Sequence, residues 1–287
     1  MHPWHITTFY HFAPVADPAA LKEHLRERGQ ALGMKALIIL AAEGLNGTAG
    51  FTSEAERDQF ESELNAFFRA ALDFKRSLSV IPPFRKLSIK IRPEIVSLGR
   101  PDLVPARQAN RLSAAQWDQA IAEGAVLLDT RNLDESRIGS FRGALLPDIG
   151  RFEQFPAAVE KMNLDPQQKI LIFCTGGIRC EKAALALSEQ GFRDVHQLDG
   201  GILRYLEETG GGSWEGECFV FDDRVAVDTR LQPSQRYRLC PHCGRPADQV
   251  LSCGQCGKEA RLCPECATRS PVTCSKNCRH HAHRPSV

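Results

Sequence analysis

No apolar run in this 287-residue chain approaches the roughly 18 residues needed to span a bilayer. Its opening, MHPWHITTFYHF, lacks the basic stretch and following apolar stretch of a secretory signal. Charge of one sign is not in excess either. The 36 Lys and Arg face 35 Asp and Glu, which argues against wholesale coating by nucleic acid but leaves room for a local basic patch. A soluble, cytoplasmic protein with no membrane partner is expected. There is no convincing internal repeat at periods of roughly 20–50 residues beyond paired cysteines, no haem motif and no dinucleotide fingerprint. What the chain has is cysteine, 11 in all, mostly after residue 239 in C-x-x-C or similar pairs. In a reducing cytosol such pairs read as metal ligands rather than disulfides.

The length predicts two or three domains. In residues 1–98, ITTFYHF and KALIILA read as strands, and PAALKEHLRERGQAL as a helix behind an Asp17 N-cap and Pro18. GLNGTAGF reads as a turn into another strand, with Asn46-Gly47 making the tight connection. SEAERDQFESELNAFFRAAL opens on a capping-box-like Ser53-x-x-Glu56 and carries Phe60, Leu64, Phe67 and Phe68 at helical spacing. LSIKIRPEIV closes the set as a strand. The order β-α-β-β-α-β predicts a ferredoxin-like α+β sandwich.

The polar GRPDLVPARQANR reads as a linker to residues 112–212, where LSAAQWDQAIAEG is a capped helix. AVLLDTR, ALLP, KILIFC and VHQL are strand candidates with helical patterns between them, which implies an α/β domain with a parallel sheet. Gly210-Gly211-Gly212 reads as a flexible break before a C-terminal extension, residues 213–287. GECFVFDDRVAV there is strand-like, with Cys218 a core residue. After Cys240 the apolar residues are too sparse to fold alone, so an external staple is needed. The pairs Cys240/Cys243, Cys253/Cys256, Cys263/Cys266 and Cys274/Cys278 supply it, at spacings that let two sulfurs face one tetrahedral zinc. Eight thiolates suffice for two structural zinc ions, grouped in nested or in sequence order. His242, His280, His281 and His283 are substitutes or simply exposed.

The stretch IFCTGGIRCEKAALAL runs an apolar strand into Cys174 and then a helix. In an open α/β sheet that places Cys174 in the crevice at the carboxyl ends of the strands. Thr175, Gly176, Gly177, Ile178 and Cys180 form the rest of the loop, its glycines letting successive N–H groups curl into an anion cradle. The helix N-terminus and Arg179 add positive potential, so Cys174 is expected to be a nucleophilic thiolate. Arginine five positions after Cys174 gives a loop smaller than the C-x5-R phosphatase cradle, better suited to sulfur or a compact anion. Cys180 is either a redox partner or a small buried helix residue. Asp129 and Arg131 either border the same crevice or, for Asp129, cap the next turn.

AVLLDTRNLDESRIGSFRGALLPDI, KILIFCTGGIRCEKA and VHQLDGGI together resemble a rhodanese domain. With EGLNGTAG and ECFVFDDRV added, roughly residues 1–235 resemble the rhodanese-like tRNA uridine 5-hydroxylase (TrhO) family. The resemblance implies an oxidoreductase that uses molecular oxygen to convert the wobble uridine of tRNA into 5-hydroxyuridine, with Cys174 as the reactive cysteine. Thiolate addition to uracil C6, which makes C5 enolate-like, is the chemistry we expect of Cys174, with Arg179 and the loop amides stabilising the ring oxygen. A persulfide-forming sulfurtransferase is the alternative. Lys75, Arg76, Arg85, Lys86, Lys90 and Arg92, continued by Arg100, Arg107 and Arg111, form a basic stripe that is expected to contact the tRNA anticodon loop. EGLNGTAG either helps line the pocket entrance or is a hairpin turn.

Overall fold

Asp17 caps the first helix, its carboxylate accepting from the Ala19 and Ala20 amides at 3.0 and 2.9 Å. The computed structural model describes residues 3–105 and 110–282, so Arg107 and His283 lie outside the described residues. Helix α1 (Pro18–Ala31) joins β1 (Trp4–Phe12) to β2 (Lys35–Ala41), and β3 (Gly44–Phe51), α2 (Glu54–Phe68), β4 (Phe74–Ser79) and β5 (Ser88–Ile91) follow. The Ser53/Glu56 capping box at α2 is complete. Phe60 and Leu64 enter the core, whereas Phe67 is left exposed.

Strand order β4-β1-β3-β2 is that of a ferredoxin-like sandwich. Its fourth strand is FKRSLS, paired antiparallel to β1, rather than the expected LSIKIRPEIV. Only Ser88–Ile91 of that segment pairs, as an added edge parallel to β2. FKRSLS carries two cations in six residues and no clean alternation, so its pairing is decided by β1. Asn46-Gly47 is likewise no turn. Both residues sit inside β3 opposite Tyr10 and Phe9, and the two-residue turn falls at Ala42-Glu43, since Ala41 pairs with Gly44. Gly47 answers to packing, because a Cβ there would lie 3.0 Å from Ile38 and 3.1 Å from Phe9.

The alternation of β1–β3 buries Phe9, Ile38, Leu40, Leu45, Ala49 and Phe51 with Leu21, Leu25, Phe60 and Leu64 of the two helices. Thr8, Tyr10, Leu37, Ile39, Asn46 and Thr48 point the other way, toward a second domain. That domain contains β6 (Arg111–Leu112), α3 (Ala114–Ala122), β7 (Val126–Asp129), α4 (Leu133–Ser136), β8 (Gly139–Phe141), α5 (Phe155–Lys161), β9 (Ile170–Phe173), α6 (Ile178–Glu189), β10 (Val195–Leu198) and α7 (Gly201–Thr209). Its sheet, β6-β10-β9-β7, is parallel throughout. One core gathers Trp117, Phe173, Ile202 and Tyr205, and another gathers Phe155, Val159, Ile170, Ile172 and Leu187, so both faces are covered. The expected ALLP strand is reduced to a bridge between Leu145 and Leu128.

The triple glycine is not a break in packing. Trp214, just beyond it, joins the core against Phe141, and β11 (Trp214–Gly216) pairs with β8. A short ladder, β12 (Cys218–Phe219) with β13 (Ala226–Val227), continues the structure. The tail adds β14 (Arg238–Leu239), β15 (Pro246–Ala247), β16 (Gln249–Ser252), β17 (Glu259–Leu262), α8 (Pro264–Ala267) and α9 (Lys276–Ala282). Its core is little more than Ala247, Ala260, Leu262 and cysteines. Among the described residues no helix is long and apolar enough to cross a membrane.

Candidate active site

Cys174 follows the last residue of β9 and is almost fully buried. The Gly177 N–H donates to its Sγ at 3.1 Å. Gly177 caps α6 with φ +96°, a conformation that L side chains rarely adopt. The loop is braced from α7, where the Ile202 and Leu203 amides donate to the Cys174 and Thr175 carbonyls at 3.0 Å. A Cβ on Gly201 would come within 2.6 Å of the Cys174 carbonyl oxygen and the Gly177 nitrogen. The second glycine of VHQLDGGI is thus part of the loop's support. Burial pushes the Cys174 thiol upward. A hydrogen bond from Cys180, the Arg179 charge and the Arg179 and Cys180 amides together outweigh it and bring the pKa down from 9.0 to about 6.

Arg179 supplies charge but not an open fork. Its Nη1 and Nη2 donate to Glu135 at 2.7 and 2.6 Å, so that fork of donors is already spoken for. Its ring neighbour is Phe221, 5.3 Å from the guanidinium carbon. Asp129 takes the turn-capping alternative, its Oδ1 accepting from the Arg131 amide at 3.0 Å, and the crevice-border reading is the one that fails. Asp129 and Arg131 form a fully buried bidentate pair, with Arg131 also donating to the Gly139 carbonyl at 2.7 Å and lying over Trp214, and neither lines the crevice. A short buried carboxylate two residues before an arginine closes on that arginine, and apolar cover from Trp214 removes both from solvent. Cys180 is buried on the first turn of α6, and its thiol stays protonated because burial and the neighbouring Cys174 push its pKa up. Cys218 is a core thiol, pushed up to about 12 by burial.

Cys174, Thr175, Gly176, Ile178 and Arg179 face a cavity of about 490 Å³ between the two domains. The opposite wall is the open face of the first sheet, including Tyr10, Ile39, Asn46 and Thr48, while Arg92 and Arg151 bring charge and Phe221 an exposed ring. Tyr10, Arg151 and Phe221 carried no sequence signal of their own, although Phe221 lies in the ECFVFDDRV string. The walls are fixed to each other. Lys182 of α6, fully buried, bridges Glu43 at 2.8 Å and Glu94 at 2.6 Å, and the Tyr10 hydroxyl donates to Glu181 at 3.0 Å. Glu43 also accepts from the Ile95 amide at 2.7 Å and Asn46 donates to the Ile95 carbonyl at 3.1 Å. EGLNGTAG is therefore both cavity wall and domain clamp.

The basic stripe divides. Lys75 is buried in the cavity wall with Asp73 at 2.8 Å and its ammonium 4.8 Å from the Tyr10 ring centroid, which removes it from any outer phosphate surface. Arg76 pairs with Glu61, Arg100 with Asp102 and Glu189, and Arg111 with Glu181 and Asp199. Arg85, Lys86, Lys90 and Arg92 are exposed and enter no ion pair among the described residues.

The eight tail cysteines form two sets, Cys240/Cys243/Cys263/Cys266 and Cys253/Cys256/Cys274/Cys278, each able to hold a metal ion. The pairs interleave, first with third and second with fourth, which corrects both expected groupings. The β16–β17 hairpin carries the second pair at its turn and returns the third pair to the first. Sulfur separations of 3.5 Å for Cys243–Cys263 and 3.6 Å for Cys256–Cys274 and Cys274–Cys278 fit a tetrahedral thiolate ion, whose sulfurs lie about 3.8 Å apart. His242 instead meets the Thr273 carbonyl at 2.7 Å, and His280 and His281 belong to neither set.

Residues 4–95 match the UPF0176 acylphosphatase like domain, residues 110–208 the rhodanese-like domain and residues 215–279 the rhodanase C-terminal domain. A protein of Bdellovibrio bacteriovorus named tRNA uridine(34) hydroxylase is 40% identical over 287 residues, covering 98% of this chain and 82% of that one. One of the same name from Synechocystis is 41% identical over 276 residues, covering 94% and 98%. Another, from Synechococcus elongatus, is 44% identical over 258 residues, covering 88% and 94%. Identity of 40–44% over 88–98% of this chain and 82–98% of those relatives is decisive: the chain belongs to the tRNA uridine(34) hydroxylase family.

Proposed function

We propose that this protein hydroxylates C5 of the uridine at position 34 of tRNA, giving 5-hydroxyuridine, with molecular oxygen as co-substrate and Cys174 as the essential thiol. The observation that carries the reading is a thiolate-favouring cysteine facing a cavity of about 490 Å³, a volume suited to a small ligand such as a splayed base. Uracil C5 is too weak a nucleophile to meet an oxygen donor unaided. Attack of the Cys174 thiolate on C6 forms a C–S bond and moves the ring electrons toward C5 and O4. Arg151, in the cavity wall, suits the negative charge that develops. The C5 carbanion then bonds to dioxygen to give a C5 hydroperoxide. Two equivalents of an external thiol reductant cleave its O–O bond and are oxidised to a disulfide while the outer oxygen leaves as water. Loss of the C5 proton with expulsion of the Cys174 thiolate restores the C5=C6 bond.

Arg85, Lys86, Lys90 and Arg92 supply the phosphate contacts for the anticodon loop in this reading, in the cytoplasm where tRNA is found. Each four-cysteine set holds one zinc ion, whose four thiolates leave no open position and make its role structural. The test is nucleoside mass spectrometry on unmodified tRNA incubated with wild-type and Cys174→Ala protein, in air and without oxygen. Uridine should gain one oxygen only in air and only with Cys174 present. Product from the alanine variant would refute the role of Cys174, and thiosulfate loading of Cys174 with no change in tRNA would favour sulfur transfer.

A further inference from the structure

Phe221 is a large apolar side chain left 56% exposed, in the same cavity as Cys174. The ring is not on a loose loop. Phe219 meets it edge-on, centroids 4.9 Å apart at 90°. The Val220 amide donates to the Val225 carbonyl and the Val225 amide to the Asp222 carbonyl, both at 3.0 Å. Arg224 forks onto Asp222 at 2.9 and 2.6 Å and reaches Ser77 of the first domain at 3.0 Å, and the Asp223 amide donates to the Pro83 carbonyl at 2.7 Å. The turn that presents the ring is thus clamped to the first domain, the Thr175 hydroxyl of the second donates to the Phe219 carbonyl at 3.2 Å, and the charge lowering the Cys174 pKa, Arg179, lies against the ring.

We propose that Phe221 is the platform on which the target pyrimidine stacks beside Cys174, with Arg179 behind the ring. This rests on the reading that a tRNA uracil enters the cavity. A rigid, exposed aromatic face in the same cavity as a nucleophile orients a flat ring without hydrogen-bonding it, leaving the other face of C5 and C6 open to the thiolate. The guanidinium draws on the ring's electron density, so a base that gains negative charge after thiolate addition stacks more favourably than the neutral one. Phosphate contacts dominate overall tRNA affinity, so the platform acts on the step after binding.

The experiment measures single-turnover 5-hydroxyuridine formation at saturating tRNA for the full chain and its Phe221→Tyr, Phe221→Leu and Phe221→Ala variants. The pH profile of Cys174 alkylation is measured beside it. Tyrosine should keep the wild-type rate, while leucine and alanine should each slow it about 5- to 150-fold, the worth of one base–aromatic stack, with the alkylation profile unchanged. A leucine variant as fast as wild type overturns the inference. So does an alkylation midpoint that rises in step with the lost rate, because Phe221 would then only shield Arg179 and Cys174. A wild-type chain that makes no 5-hydroxyuridine overturns the activity and the platform together, whereas an active wild type indifferent to leucine overturns the platform alone.

Discussion

Replacing Cys180 by alanine tests how the fold holds Cys174 as a thiolate. In the intact loop, burial raises the Cys174 pKa, and the Cys180 thiol, the Arg179 charge and the loop amides bring it to about 6. A hydrogen bond to a charged acceptor contributes about 1.5–3 kcal/mol, or about 1–2 pKa units. The alanine variant should therefore titrate near pH 7–8, roughly that far above wild type. Serine at the same position retains a donor and should stay close to wild type. The sign is fixed by the chemistry: only the thiolate reacts, so alkylation rises with pH up to the midpoint and falls about tenfold per unit below it. Near neutral pH the alanine variant should react about 2- to 10-fold more slowly. Quantifying alkylation of the Cys174 peptide by mass spectrometry separates it from the other thiols. A wild-type midpoint near the ordinary thiol value would refute the cradle, and an unshifted alanine variant would refute the part assigned to Cys180.

Lys182→Met should cost about 3–5 kcal/mol in denaturant unfolding, because it leaves the buried carboxylates of Glu43 and Glu94 without their shared cation. Neutralising Arg85, Lys86, Lys90 and Arg92 together should flatten the log–log salt dependence of tRNA binding by about 3, at roughly 0.7 per single-strand phosphate contact. An unchanged slope would locate the tRNA surface elsewhere. Cys243→Ser with Cys266→Ser should halve the bound zinc measured by elemental analysis and increase amide exchange over Cys240–Cys266, while sparing the second set.

Local chemistry written in adjacent residues was legible in the sequence. Asp17 before Pro18, the Ser53-x-x-Glu56 box, the apolar KILIF strand and the Cys174 loop all act within a few positions of themselves, so spacing is enough to read them. The eight tail cysteines announced metal sites for the same reason. Their interleaving was not legible, because it depends on where the β16–β17 hairpin returns the chain. FKRSLS became a strand only because β1 offered it an edge, and Asn46-Gly47, a turn by composition, was drawn into β3 by pairing on both sides. Side-chain type gave the charge that Arg179 brings to Cys174 and the turn cap that Asp129 makes, but that Arg179 would fork onto Glu135 and that Asp129 and Arg131 would close on each other away from the crevice is a fact of three dimensions. The sequence by itself determined that a strand runs through Cys174 and a glycine turn into a helix, and the order of the units. Tertiary structure decided that the first sheet's open face closes over Cys174 to make a cavity, since only packing brings residues as far apart as Tyr10, Cys174 and Phe221 around one space.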